Sequence, residues 1–149
     1  MKLANYIHKD LIIPELSART KSEVLAEMVD YLKKFYSELD REKLYELLIE
    51  RESLGTTGIG SGIAIPHTKV NDLDQLIVLV GRSLKGVDFD ALDKEPVHII
   101  FLLLASDSNL GEHLRVLAYI SRLLKDEIFK KEFLSAKNKD ELYLLLKDV

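Results

Sequence analysis

Four glycines crowd the stretch that leads to His67. Of the seven glycines in the 149-residue sequence, those at positions 55, 58, 60 and 62 lie within the segment RESLGTTGIGSGIAIPH, which runs from Arg51 to His67. Glycine permits positive φ and close backbone approach, so such a loop can direct several N–H groups at an anion. The segment lacks the GK[ST] of a Walker loop, and its GxGxG spacing differs from the dinucleotide fingerprint. The pattern favours an anion site over a nucleotide site.

His67 follows this loop where the backbone is restrained. Pro66 has a fixed φ and restricts Ile65 to extended conformations, so the chain stays extended as the histidine leaves the predicted sheet. A neutral imidazole is a competent nucleophile at neutral pH, because its ordinary pKa of about 6.5 leaves one ring nitrogen free on most molecules. Phosphoryl transfer asks little of a protein beyond positioning and charge neutralisation. This context predicts a phosphoryl acceptor at His67.

Two further side chains could complete such a site. Arg51 is always protonated and can bond two phosphate oxygens at once, so it is the nearest suitable cation in the motif. His113 is predicted to lie in the first turn of a helix, where the helix dipole disfavours imidazolium and favours a bound anion. The weaker candidates for phosphate contacts lie in the glycine loop: Thr57, Gly58, Gly60 and Gly62.

Hydrophobic spacing and capping signals predict the elements that position these residues. Thr20 and Glu23 form a capping box that opens a helix to about residue 35. Asp40 opens a second helix, which ends at about residue 53 before Gly55 and places Arg51 in its last turn. Apolar runs predict strands over residues 11–13, 63–65, 76–84 and 97–104.

The last third of the sequence is predicted to be helical. Asn109 with Glu112 would cap a helix whose apolar stripe is Leu114, Leu117, Ile120 and Leu124. A further helix would cover residues 127–135, and Asn138 with Glu141 would cap a final short helix to residue 146. Helices on both sides of a block of strands predict an α/β fold, a three-layer α/β/α sandwich with a central mixed sheet flanked by helices. The two long strands could pair in either direction. We expect residues 1–149 to form a single domain.

Composition excludes several classes of function. The sequence has no cysteine, which rules out thiolate nucleophiles and cysteine-bound zinc. Its net charge is −4 with the signs interspersed, which argues against nucleic-acid binding. The longest apolar run, residues 97–105, is too short to cross a bilayer, and the N-terminus lacks the pattern of a secretory signal. We therefore expect a cytoplasmic protein without membrane insertion.

Several segments resemble a known family. The stretch TGIGSGIAIPH, the LxxRE pattern before it and a second histidine within GEHLRVLAYISRLL are similar to the type-2 enzyme IIA domain of the bacterial phosphoenolpyruvate-dependent phosphotransferase system. This family includes the fructose, mannitol and nitrogen-regulatory IIA proteins. The resemblance extends nearly from end to end, through FDALDKEPVHIIFLLLA and the closing KDELYLLL.

The resemblance implies a role for each candidate residue. His67 would be phosphorylated by the carrier protein HPr or its nitrogen-branch analogue, and would pass the phosphoryl group to a IIB domain. Arg51 would bind that group, His113 would be the second active-site histidine, and no cofactor would be needed. The family ordinarily has Gly, Ala or Cys after the active histidine, where this chain has Thr68. Its stiff, bulkier side chain could alter partner approach, and its hydroxyl could instead bond the phosphate.

Two alternatives remain at this point. His67, His113 and a carboxylate such as Glu112 could bind a metal, although no HxxxH or HxH spacing supports a metal site. The chain could also be a regulatory module that binds target proteins and uses phosphorylation of His67 only as a switch. Both the relay and the switch need the same acceptor. We expect the remaining histidines, His8 and His98, to be structural.

Overall fold

The computed structural model describes residues 2–71 and 73–149. The strands are β1 (Ile12–Ile13), β2 (Gly58–Gly60), β3 (Ile63–Ala64), β4 (His67–Lys69), β5 (Ile77–Val87) and β6 (Val97–Ala105). The helices are α1 (Lys21–Lys33), α2 (Arg41–Ser53), α3 (Leu110–Leu123), α4 (Glu127–Ser135) and α5 (Lys139–Lys147). Single turns of 3₁₀ helix lie at Leu3–Asn5, Lys9–Leu11 and Asp107–Asn109.

A mixed sheet is built around β5 and β6, which pair antiparallel from Ile77 opposite Leu104 to Val87 opposite Val97. This pairing settles the direction that the sequence left open. β1 lies parallel to β5 on one side. On the other side, β3 and β4 both lie parallel to β6, and β2 pairs antiparallel with β3. The residues from β3 to β4 therefore run as one extended segment along the edge of β6.

Helices cover both faces of this sheet. Alternate side chains of a strand point to opposite faces, and β6 shows this over its whole length. Ile100, Leu102 and Leu104 pack in the core under α1 and α2. The neighbouring side chains of Ile99, Phe101 and Leu103 pack in a second core under α3, α4 and α5. The predicted three-layer α/β/α sandwich is confirmed.

Most predicted caps are present, but α3 begins differently. The side chains of Thr20, Asp40 and Asn138 accept hydrogen bonds from backbone N–H groups in the first turns of α1, α2 and α5. Asn109 does not cap α3, so that prediction is wrong. Its side chain instead accepts a hydrogen bond of 2.8 Å from the N–H of Ser106, in a capping box around the preceding 3₁₀ turn, so it does not bond the first turn of α3.

The apolar stripe of α3 also differs from the prediction. Leu114 is exposed, whereas His113, Val116 and Ile120 are buried. The core-facing stripe starts one residue earlier than the leucine spacing suggested, because His113 rather than Leu114 faces the sheet. As a result, the imidazole of His113 is buried.

Two short strands were not predicted. β4 begins at His67, which pairs with Leu103, so the histidine does not leave the sheet as expected but opens a new strand. The segments His67–Lys69 and Gly58–Gly60 carry too little β-branched or aromatic sequence to signal strands on their own. Among the described residues, no helix is both long and apolar enough to span a bilayer.

Candidate functional site

The His67 ring is held in one orientation by the backbone just before it. Its Nδ1 lies 2.8 Å from the carbonyl oxygen of Ile65. A carbonyl oxygen can only accept, so Nδ1 carries the proton and donates this hydrogen bond, which leaves Nε2 with a lone pair. The sequence neighbours of His67 are Pro66, which is buried, and Thr68, which is half-buried. The geometry therefore produces an imidazole with a defined tautomer and one free nitrogen.

His67 lines a cleft of about 1310 Å³ between α2 and the segment that follows β4. The α2 residues Lys43, Leu47 and Arg51 lie on one wall, at the i, i+4, i+8 spacing of one helix face. The other residues that line it are Tyr36, Glu38, Leu39, Asp40, Leu44, Thr68, Lys69, Val70, Asn71, Leu73, Asp74, Gln75, Ile77, Asp107 and His113. The structure thus brings four of the sequence candidates, Arg51, His67, Thr68 and His113, to one cleft.

His113, on α3, lies next to the ring of His67. The two ring centroids are 5.6 Å apart and the rings are close to perpendicular. His113 is only 4% exposed, and neither of its ring nitrogens has a hydrogen-bond partner among the described residues. Burial, and secondarily the neighbouring His67, lower the pKa of His113 below its ordinary value of 6.5. His113 is therefore neutral at pH 7 and holds an N–H that lacks an acceptor.

Arg51 is held by a hydrogen bond, but no carboxylate among the described residues pairs with its charge. Its Nη1 donates a hydrogen bond of 2.8 Å to the carbonyl oxygen of Gly55, just beyond the end of α2. Residues 2–71 and 73–149 contain no carboxylate within ion-pair distance of Arg51. A carbonyl that holds one guanidinium nitrogen leaves other N–H groups available to an anion.

Two cations in the cleft were missed by the sequence reasoning. Lys43 lies on the Arg51 face of α2, and Lys69 lies two residues after His67, where a strand places it on the same side. Lys69 Nζ is 3.0 Å from Asp107 Oδ1, so its charge is partly offset. The helical spacing of residues 43, 47 and 51 was a usable signal, but Lys69 required knowledge of β4.

The other loop candidates serve packing or the backbone conformation of the loop in this structure. They do not line the cleft. A Cβ at Gly58 would lie 2.9 Å from the Cβ of Ala91, too close to fit. Gly60 and Gly62 have φ of +102° and +81°, in the left-handed region that favours glycine. The Thr57 side chain is buried and donates a hydrogen bond to the carboxylate of Glu52.

The metal alternative finds little support in the side-chain arrangement. In residues 2–71 and 73–149, no three His, Asp or Glu side chains converge in a way that would hold a metal ion. The carboxylate of Glu112 instead accepts a hydrogen bond of 2.9 Å from the hydroxyl of Tyr6. Three cations and four carboxylates line the cleft. The donors that suit an anionic ligand are the spare N–H groups of Arg51 and the N–H of His113, which has no acceptor among the described residues.

Comparison with known proteins places this architecture in a family. Residues 5–149 match the family described as "Phosphoenolpyruvate-dependent sugar phosphotransferase system, EIIA 2". The chain is 36% identical over 142 residues to the PTS system fructose-specific EIIABC component of Bacillus subtilis, an alignment that covers 95% of this chain and 22% of that protein.

Two solved structures share the fold. The nitrogen regulatory protein IIA-Ntr of Neisseria meningitidis superposes with a TM-score of 0.88 at 28% identity, over 97% of this chain and 98% of that one. The enzyme IIA mannitol of Escherichia coli, solved in complex with phosphorylated IIB mannitol, gives a TM-score of 0.78 at 23% identity, over 96% and 98% of the two chains. The chain belongs to the type-2 IIA family of the phosphoenolpyruvate-dependent sugar phosphotransferase system, whose domains transfer phosphoryl groups.

Proposed function

We propose that the protein is a phosphoryl carrier whose acceptor atom is Nε2 of His67. The observation that carries this proposal is the hydrogen bond from His67 Nδ1 to the Ile65 carbonyl, which leaves Nε2 as the nitrogen with a lone pair in a cleft shared with Arg51 and His113. The donor would be phospho-HPr or a nitrogen-branch analogue, and the acceptor would be a IIB domain.

The transfer balances without an external acid or base. The lone pair of Nε2 attacks phosphorus on the donor's phosphohistidine, and the donor's P–N bond breaks with its electron pair returning to the donor imidazole. The new P–Nε2 bond leaves positive charge on the His67 ring while Nδ1 keeps its proton. The Ile65 carbonyl, 2.8 Å from Nδ1, stabilises that charge. Transfer to the IIB domain is the reverse sequence with a new acceptor.

Arg51 and His113 would stabilise the phosphoryl oxygens. Charge spreads over the equatorial oxygens during transfer, and preorganised donors stabilise it best where water is excluded. Arg51 supplies fixed positive charge with spare N–H groups. His113 supplies a neutral, buried N–H that finds no acceptor among the described residues, which a phosphoryl oxygen would satisfy. A neutral donor also leaves the site less attractive to other anions before the donor protein arrives.

The proposal can be tested by reconstitution. The purified protein is incubated with phosphoenolpyruvate carrying a radioactive phosphoryl group, enzyme I and HPr. We expect an acid-labile label on the wild-type protein and none on His67→Ala, and ¹⁵N NMR of the labelled ring should place phosphorus on Nε2. Addition of a IIB domain should then discharge the label.

His98→Ala is the matched control, because His98 is also half-buried and also has its Nδ1 at 2.8 Å from a backbone carbonyl. We expect it to label normally. A label retained on His67→Ala, or a phosphorylated Nδ1 in the wild type, would contradict the proposed acceptor.

A second candidate is regulation of target proteins by the same phosphorylation. It is favoured by the match to the nitrogen regulatory protein IIA-Ntr, which covers 98% of that chain. A wild-type protein that labels on His67 but does not discharge to any cognate IIB domain, and that binds a target protein only in one phosphorylation state, would favour the switch. Discharge to a fructose-type or mannitol-type IIB domain would favour sugar uptake.

A further inference from the structure

A largely buried ion pair involves Glu52, the residue that follows Arg51 in α2. Glu52, the next residue of α2, has a side chain only 3% exposed, and its Oε1 is 3.0 Å from Nζ of Lys21 on α1. Removing two charges from water is costly unless their remaining donors and acceptors are satisfied. Here they are. Glu52 also accepts from the backbone N–H of Thr57 at 2.9 Å and from the Thr57 hydroxyl.

Lys21 is equally well satisfied. Its ammonium group donates to the hydroxyl of Thr56 at 3.1 Å and lies 4.9 Å from the centre of the Phe89 ring. The Thr56 hydroxyl in turn accepts from the N–H of Gly58 at 3.1 Å. The pair and its partners therefore join the start of α1, the end of α2 and the loop that leads to β2.

This network closes the turn that holds Arg51. The Gly55 N–H donates to the backbone carbonyl of Glu52 at 3.1 Å, while the Glu52 side chain holds Thr57 at the far end of the same turn. The Gly55 carbonyl between these anchors is the acceptor for Arg51 Nη1. The position of that carbonyl depends on both anchors.

We propose that Glu52 is a positioning residue for the phosphoryl site, and that it acts with Lys21 and Thr57 through the Gly55 carbonyl to hold the Arg51 guanidinium in the cleft beside His67. The inference rests on the proposed function for its catalytic consequence. Its structural core, that Glu52 orders Arg51, is independent of phosphorylation. A pair of hydrophobic residues could fill the same space, but it could not fix the turn by hydrogen bonds to Thr57.

The test is Glu52→Gln, which keeps the shape of the side chain and removes its charge. We expect phosphoryl transfer to slow roughly tenfold to a hundredfold, because displacement of a catalytic group by about 1 Å has costs of that order. In an Arg51→Ala background, Glu52→Gln should slow transfer no further, since its effect passes through Arg51. Additive losses in the double variant would overturn the inference.

A second measurement does not depend on phosphorylation. The guanidinium ¹⁵N–¹H signals of Arg51 should broaden or shift in Glu52→Gln, and to a smaller extent in Thr57→Val, which removes only the hydroxyl contact. Glu127→Gln is the control for loss of a carboxylate paired with a lysine, because the exposed Glu127 side chain lies 3.0 Å from Lys130 and is far from Arg51 in sequence. Unchanged Arg51 signals in both test variants would overturn the inference, whereas an unlabelled wild-type protein would overturn the proposed function instead.

Discussion

Two histidines of this protein stand in closely similar local settings. His67 and His98 are both half-buried on strands, and each has Nδ1 2.8 Å from a backbone carbonyl, that of Ile65 or Ser83. Each region also has an arginine that donates to a glycine carbonyl. Arg51 donates to Gly55 at 2.8 Å and lines the same cleft as His67, and Arg19 donates at 3.0 Å to Gly86, the glycine that packs against the His98 ring.

The differences lie in what surrounds the free nitrogen. His98 packs against Gly86, where a Cβ would come within 3.1 Å of its ring, and it does not line the cleft. His67 lines the cleft and faces the ring of His113, whose nitrogens are unpaired among the described residues. A fixed tautomer, and an arginine held by a glycine carbonyl in the same region, are therefore insufficient for a site. Open space and an unsatisfied donor distinguish His67 from His98.

The largest effect is expected from Arg51→Lys. Lysine retains the charge but loses the planar fork that bonds two phosphoryl oxygens, so transfer from phospho-HPr should slow roughly a hundredfold. Rapid-quench measurement of the labelled protein gives the rate. Arg19→Lys is the matched control, because Arg19 also donates to a glycine carbonyl but does not line the cleft, and it should leave the rate unchanged. Equal losses of transfer rate in both variants would show that Arg51 contributes no more to transfer than Arg19 does.

A smaller loss is expected from His113→Gln. The amide can still donate a hydrogen bond but cannot place its N–H where the imidazole does, and a loss of roughly tenfold corresponds to one hydrogen bond to a charged group. Single-turnover transfer from phosphorylated protein to a IIB domain measures it. Full transfer by His113→Gln, with His98→Gln equally active, would remove His113 from the mechanism.

The pH dependence of stability should also distinguish His113. Its folded-state pKa is lowered by burial and by His67, so the unfolded chain binds the proton more tightly. The free energy of unfolding should therefore be unaffected by this group well above pH 6.5 and should fall as pH drops below the unfolded value of 6.5. Urea unfolding at a series of pH values should show a shallower acid-side decline for His113→Gln. His98→Gln is the control: it retains His113 and should keep the acid-side decline that His113 causes. Identical slopes in the wild type and His113→Gln would contradict the lowered pKa of His113.

The smallest effect is expected at Thr68, which lines the cleft beside His67. Thr68→Ala removes a stiff β-branched side chain at a half-buried position, and we expect a change of roughly twofold to threefold. The change should appear in the KM for the IIB domain if Thr68 limits partner approach. A change in the single-turnover rate with KM constant would favour a hydrogen bond from the hydroxyl to the phosphoryl group.

Much of the fold could be predicted because its signals are local. Side chains such as Thr20, Asp40 and Asn138 cap their helices within one turn, and the long apolar runs of β5 and β6 specify buried strands wherever they pair. β2 and β4 could not be predicted, because their short polar or glycine-rich sequences become strands only by hydrogen bonding to neighbours.

The candidate site also has features that the local sequence determines and features that only the tertiary structure determines. The sequence by itself determined which groups could react: the glycine-rich approach, the restrained His67 and the arginine at a helix end are all encoded within one short segment. Only the tertiary structure decided that α3 turns His113 rather than Leu114 toward the sheet, that β4 pairs with β6, and that Gly58 packs against Ala91. The physical reason is that reactivity follows from side-chain type and local backbone, whereas proximity follows from the pairing and burial of segments distant in the chain.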